Sequence, residues 1–212
     1  YVIKEKKSFL INIDEKFDES IKLANELFLN GSIFIYPTDT IYGFGGNPFN
    51  EMAIKKISDV KGKTNWRRYI FLISDIEMLK NYADINSEKY LDFLLSIWPN
   101  PVSVILKLNK KYQELLSSET GAFRIPNYRF CQKLISGIKM PLISTSVNRT
   151  GNEPLNHPSQ IIQEFANEVD AIFYSDKKSF FEASTLIDLS KDEPVLVREG
   201  KIKLVEIMKK LN

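Results

Sequence analysis

Short apolar runs of strand length recur along this chain and stop abruptly at polar residues: SIFIY, RYIFLIS, VSVILKL, residues 122–124, PLIST, AIFY, STLIDL and VLVRE. Stretches with helical spacing separate most of them, and that alternation restricts the chain to an α/β fold. In FDESIKLANELFLNG the apolar residues Ile21, Ala24, Leu27 and Phe28 form one stripe, and Gly31 stands where a helix ends. NEMAIKKISDVKG repeats the spacing with Asn50 as its N-cap, and helices are expected over 75–82, 87–97 and 127–136. Pro158 suits the first turn of another helix, because its missing N–H is not needed there, and KLVEIMKKLN closes the chain as a short helix. The last three strands leave little room for crossover helices, so the sheet is expected to be mixed, not wholly parallel. With 212 residues, no internal repeat and no Pro/Gly/Ser linker, a single domain over 1–212 is expected.

Composition narrows the chemistry. Lys+Arg total 29 against 27 Asp+Glu, a net charge of +2, so bulk charge gives no argument for a strongly basic nucleic-acid binder. No apolar run reaches the ~18 residues of a membrane span, and the charged start YVIKEKKSFLINIDEK is unlike a signal peptide; the cytoplasm is the simplest address. Cys131 and His157 are each the only residue of their type, which excludes a disulfide framework, a Cys/His zinc site or a Cys-x-x-Cys motif within one chain. A Cys131/His157 nucleophilic pair is disfavoured, since one lies in a helical segment and the other in an Asn/Pro loop. An enzyme of this composition would work with Lys, Arg, Ser, Thr, Asn, Tyr and carboxylates, with or without Mg²⁺.

Four segments place polar residues just beyond an apolar strand, where open α/β sheets hold ligands. In YPTDTIYGFGG (36–46), Thr38 and Thr40 offer hydroxyls, Tyr42 a phenol, and the glycines close backbone approach. Taken alone this reads equally as a Gly-rich turn, and it matches neither the P-loop nor the G-x-G-x-x-G spacing. KGKTNWRR (61–68) gathers four cations. A helix C-terminus accounts for Lys61 and Lys63 at ~0.3–1 kcal/mol each, whereas Arg67 and Arg68 lead into an apolar strand and suit phosphate recognition better. In GAFRIP, Arg124 is costly to bury unpaired and should meet a carboxylate, a phosphate or solvent. PLISTSVNRTG dissolves a strand into consecutive neutral donors, more than a plain turn needs. Trp66 and Trp98 read as packing residues.

PTDTIYGFG, KGK, WPNPVS, RIP, STSVNRTG, ASTLID and VREG follow one another in an order that resembles the YrdC-type family of threonylcarbamoyl-adenylate synthases, over about residues 31–200. Each motif is weak alone; seven in order are specific. The resemblance implies a twisted mixed sheet flanked by helices around a positively lined cavity, in the short single-domain form of the family. It also implies a reaction joining L-threonine, bicarbonate or CO₂, and ATP with its Mg²⁺, giving threonylcarbamoyl-AMP and pyrophosphate for N6-threonylcarbamoyladenosine at position 37 of tRNA. A threonylcarbamoyl transferase that uses the adenylate, and tRNA, are the implied partners. Such chemistry needs no Cys or His nucleophile.

Carried over, Thr38, Thr40, Tyr42, Arg124, Ser144 and Ser184 would bind threonine, while Lys61 and Lys63 would face the triphosphate as the catalytic cations. Arg67, Arg68, Ser146, Asn148 and Arg198 would complete the ATP site. Lys63 stands where the family has Arg, exchanging a bidentate contact for a point charge; Arg68 replaces Pro, Val147 Ala, Asn100 Gly and Thr150 Ser. Carbamoyl transferases of the same fold belong to longer chains. A reading of another class is a divergent paralogue that binds tRNA or rRNA through residues 61–68 without catalysis.

Overall fold

The computed structural model describes residues 7–62, 65, 69–85, 87–178 and 181–211. Its strands are β1 (Phe9–Asn12), β2 (Phe34–Tyr36), β3 (Gly43–Gly45), β4 (Ile70–Leu72), β5 (Val102–Lys107), β6 (Thr120–Arg124), β7 (Leu142–Ser146), β8 (Ala171–Tyr174), β9 (Thr185–Asp188) and β10 (Val195–Arg198). Its helices are α1 (Phe17–Leu29), α2 (Glu51–Lys61), α3 (Ile76–Lys80), α4 (Glu88–Ile97), α5 (Lys110–Leu116), α6 (Arg129–Ile138), α7 (Pro158–Phe165) and α8 (Leu204–Met208). The strands form one sheet in the order β1-β8-β2-β3-β7-β4-β6-β5-β9-β10. It is mixed: β4 runs parallel to β6 and β9 parallel to β5, whereas β7 is antiparallel to both β3 and β4.

The apolar runs are nearly continuous because both faces of the sheet are covered. Side chains alternate across a strand. Phe34, Tyr36, Leu72, Leu142 and Phe173 therefore pack with Ala24 and Phe28 of α1 and Phe130 and Leu134 of α6. Their neighbours Ile33, Ile35, Phe71, Ile143 and Ile172 pack on the other side with Ala53 and Ile57 of α2 and Ile161 and Phe165 of α7. The expected caps form as well: Asn50 accepts from Ala53 N–H at 3.0 Å, Gly31 takes φ +68° after α1, and Pro158 opens α7.

Three elements are additional to the sequence reading. β1 forms in the charged N-terminal stretch by pairing in parallel with β8. α5, read from sequence as a polar stretch, is capped by Asn109, which accepts from Tyr112 N–H at 3.2 Å. β3 is built from the glycines expected in a turn. There a Cβ on Gly45 would stand 2.6 Å from the Tyr36 ring, so the absence of a side chain is what lets the β2 rings lie across β3 beside it.

Candidate active site

Register delivers the polar motifs to one place. β7 pairs Ser146 with Gly43 and Ser144 with Ile70, β6 ends at Arg124, and β9 begins beside Ser184. Thr40, Tyr42, Arg124, Ser144, Ser146, Ser184 and Arg198 thus line one cavity of about 220 Å³. Its charged lining residues are both arginines.

The loop 37–42 forms one wall. Thr38 Oγ1 donates to Ile41 O at 2.7 Å and accepts from Thr40 N–H at 3.0 Å. With that proton committed, the 3.0 Å contact between the two hydroxyls has Thr40 as donor. Thr40 Oγ1 is left to accept from Arg124 Nη1 at 2.9 Å. Arg124 is 2% exposed, and its Nη2 lies 3.4 Å from Asp39 Oδ1. Its Nε is buried with no hydrogen-bond partner. Asp39 is oriented by Asn127 N–H, which donates to Oδ2 at 3.1 Å.

Opposite lies Arg198, whose Nη2 donates to Ser184 O at 2.9 Å and to Ser184 Oγ at 3.2 Å. Ser184 Oγ also meets the buried Ser103 Oγ at 2.8 Å. Burial, and then the like charge of Arg124, lower the Arg198 pKa. A cavity that keeps two guanidinium groups near each other, with no carboxylate among the described residues that line it, suits an anion.

Lys61 and Asn148 do not line this cavity; they build its rim. The Lys61 ammonium, on a residue 4% exposed, donates to Ser146 O and, at 2.8 Å, to Asn148 Oδ1, which also accepts from Ser146 Oγ at 2.6 Å. The loop is further tied to the end of α2 by Thr150 N–H on Lys61 O at 2.6 Å and by Arg149 on Val60 O at 2.5 Å. Thr38 faces a second cavity of about 480 Å³ on the far side of its loop, which Asp14, Asp39, Tyr128, Lys178 and Lys201 also line. Lys63, Arg67 and Arg68 lie outside the described residues, as does Trp66.

Sequence reasoning missed Asp39, Ser103 and Lys178. Asp39 and Ser103 stand inside quoted motifs, where a signal existed. Lys178, in SDKKS, had none. Cys131 is fully buried, with Sγ 3.5 Å from Pro37 O, and burial raises its pKa well above the usual thiol range, so a thiolate is not on hand. His157 stands at the N-cap position of α7 without a side-chain capping hydrogen bond, its ring 5.5 Å from that of Phe181. Among the described residues there is no cluster of three His, Cys, Asp or Glu that would hold a metal ion, and no helix is long and apolar enough to cross a membrane.

These shifts predict a pH effect. Burial lowers the pKa of Lys61 and of Lys178 to about 8, against about 10.4 in an unfolded chain. Between those values the unfolded state binds more protons, so both lysines make stability rise with pH. The raised Cys131 thiol opposes them above about pH 8.5, where the unfolded chain ionises and the folded one does not. Tyr36, Tyr42, Tyr82 and Tyr128, also raised by burial, oppose the lysines too, but only as pH nears the ordinary phenol value of about 10. Below about pH 9 the two lysines outweigh the thiol, so the urea midpoint is expected to climb between pH 8 and about 9, and more steeply in Cys131→Ala; a flat or falling profile contradicts this.

A family model described as Sua5/yciO/yrdC, telomere recombination, matches residues 26–200. The threonylcarbamoyl-AMP synthase of Pyrococcus abyssi is 28% identical over 205 residues, covering 95% of this chain and 60% of the relative's length. The structure of P. abyssi Sua5 complexed with L-threonine superposes with a TM-score of 0.84 at 27% identity, over 96% of this chain and 60% of that one. Escherichia coli YciO superposes at 0.81 with 25% identity, over 94% of this chain and 98% of its own.

Proposed function

The chain belongs to the Sua5/YciO/YrdC family, and from that premise we propose that it is a threonylcarbamoyl-AMP synthase acting on L-threonine, bicarbonate and ATP. One observation carries the reading. Seven residues from five separate motifs meet around one cavity whose charged lining among the described residues is two arginines, and the buried Nε of Arg124 lacks a partner. Similarity to a synthase, and to a relative solved with L-threonine, supports the substrate class.

In this reading the threonine carboxylate takes the Arg124 fork, a geometry in which two parallel N–H···O bonds form. The hydroxyls of Thr40, Ser144 and Ser184 surround the rest of the amino acid, with Thr38 and Tyr42 fixing the wall behind it. The amine condenses with bicarbonate to an N-carboxylate with loss of water. A carboxylate oxygen then attacks the α-phosphorus, and the bond from that phosphorus to the α,β-bridging oxygen breaks, so that the β- and γ-phosphates leave as pyrophosphate. Mg²⁺ arrives with ATP as part of the substrate. Ser146, Asn148 and Arg198 receive the nucleotide, Lys61 holds the loop that carries Ser146 and Asn148, and Lys63, Arg67 and Arg68 serve the phosphates, which have to be held in line with neutralised charge. The adenylate would pass to a transferase that modifies tRNA.

Incubated with Mg-ATP, bicarbonate and threonine, the protein should release pyrophosphate in proportion to threonyl-carbamoyl-AMP formed. Release that is equal without threonine would sink the reading.

A further inference from the structure

We propose that Lys178 is a positioning residue that holds loop 37–42, and through it the Arg124 fork, in the form that accepts the amino-acid carboxylate. This rests on the threonine reading given above. The Lys178 ammonium donates to Thr38 O and to Thr40 O, each at 2.6 Å. Two carbonyl oxygens within reach of one atom repel each other, and a half-buried cation between them turns that repulsion into attraction. The ring centroids of Tyr42, Tyr128 and Phe181 lie 5.9, 5.8 and 5.4 Å from Nζ, so aromatic faces supply part of what water would otherwise give the charge. Adjacent Lys177 is exposed and uses its backbone N–H on Asp14 and Ser175, so the pair of lysines is not interchangeable.

The carbonyls that Lys178 grips belong to Thr38 and Thr40, on either side of Asp39, and two side chains of this segment meet Arg124. Thr40 Oγ1 accepts from Arg124 Nη1 at 2.9 Å, while Asp39, between the two gripped residues, faces Nη2 at 3.4 Å. Loop and fork are therefore coupled at two atoms. Without the ammonium, Thr38 O and Thr40 O separate, the hydroxyl and the carboxylate turn with them, and the guanidinium loses its alignment. The hydrogen bonds of the Lys178 ammonium go to Thr38 and Thr40 and to none of the residues assigned to the nucleotide, so the effect falls on threonine more than on ATP.

Lys178→Met, which keeps the stem and removes the donor, and Lys178→Gln, which keeps a neutral donor, test this in two ways. In the Met variant the threonine KM should rise at least tenfold, with kcat at saturating threonine within threefold and the ATP KM within twofold; the Gln variant should fall between it and the wild type. Hydrogen exchange read without substrates should accelerate at least tenfold at the Thr40 amide, which donates to Thr38 Oγ1. Unchanged exchange at residues 38–42, or equal losses for threonine and ATP, would overturn the positioning role. A wild type that neither binds threonine nor releases pyrophosphate defeats the functional reading instead, and the exchange result still decides the role of Lys178 in the loop. If the Met variant does not fold, the Gln variant carries both measurements.

Discussion

On the proposed reading, replacing Arg124 with lysine should raise the threonine concentration required for half-maximal pyrophosphate release by about 100-fold, a cost of the order expected for losing a charged bidentate contact. The ATP requirement should change little. Lysine keeps the positive charge beside Asp39, so the buried pair survives, but it offers a point charge where a planar fork meets Thr40 and Asp39 and would take the carboxylate. Arg124→Ala mixes two effects, because it also leaves Asp39 buried without its cation, a loss of about 3–5 kcal/mol in other proteins. Arg124→Met with Asp39→Asn removes that second effect: the double variant should melt closer to the wild type than Arg124→Ala and still fail to respond to threonine. Equal losses for threonine and ATP in Arg124→Lys would misplace the residue.

Gly200→Ala should be the most damaging methyl group that can be added near the site. Its Cβ would stand 2.2 Å from Ala183 O, 2.6 Å from the Ser184 carbonyl carbon and 2.7 Å from Ser184 O, all backbone atoms that cannot swing away. Gly200 N–H donates to Thr185 Oγ1 at 2.9 Å and Lys201 N–H to Ala183 O at 2.9 Å, so the segment is tied where the methyl pushes. Overpacking of this kind costs about 1–3 kcal/mol, or roughly 2–12 °C in Tm for a chain of this size. Activity should suffer more than stability. Arg198 reaches the cavity by bonding Ser184 O, and a displacement of about 1 Å in such a contact can reduce turnover about 100-fold. Gly62→Ala is the control: φ +86° strains the backbone there, but nothing lies within 4 Å of the added carbon. A thermal melt and a pyrophosphate assay on both variants check the contrast; equal behaviour would contradict it.

Much of the fold was legible because the signals are local. Asn50, Asp75 and Pro158 each start a helix by satisfying or omitting an N–H that a first turn leaves free, and the structure has them at N-cap or N1. β1 and β3 were not legible for the opposite reason. Phe9 and Leu10 are exposed and short of a strand pattern, and Gly43–Gly45 has no β propensity; both are strands because β8, β2 and β7 offer them partners. α5 carries its signal, the Asn109 cap, in a stretch whose polarity hid it.

The candidate site divides the same way. Thr40, Tyr42, Arg124, Ser144 and Ser146 came forward as polar residues at or beside strand ends, and Ser184 and Arg198 through the order of motifs that carries the family resemblance. Sequence by itself thus determined an α/β chain, its caps, and which loops carry polar chemistry, since those follow from periodicity and from backbone groups only a few residues apart. The tertiary structure alone decided where long side chains point. Lys61 turns from the cavity to the carbonyls of its rim, Lys178 reaches back to Thr38 and Thr40 across about 140 residues of chain, and Arg124 keeps one N–H without a partner. A flexible cation settles where buried acceptors would otherwise go unmet, and which acceptors those are depends on elements far apart in the chain.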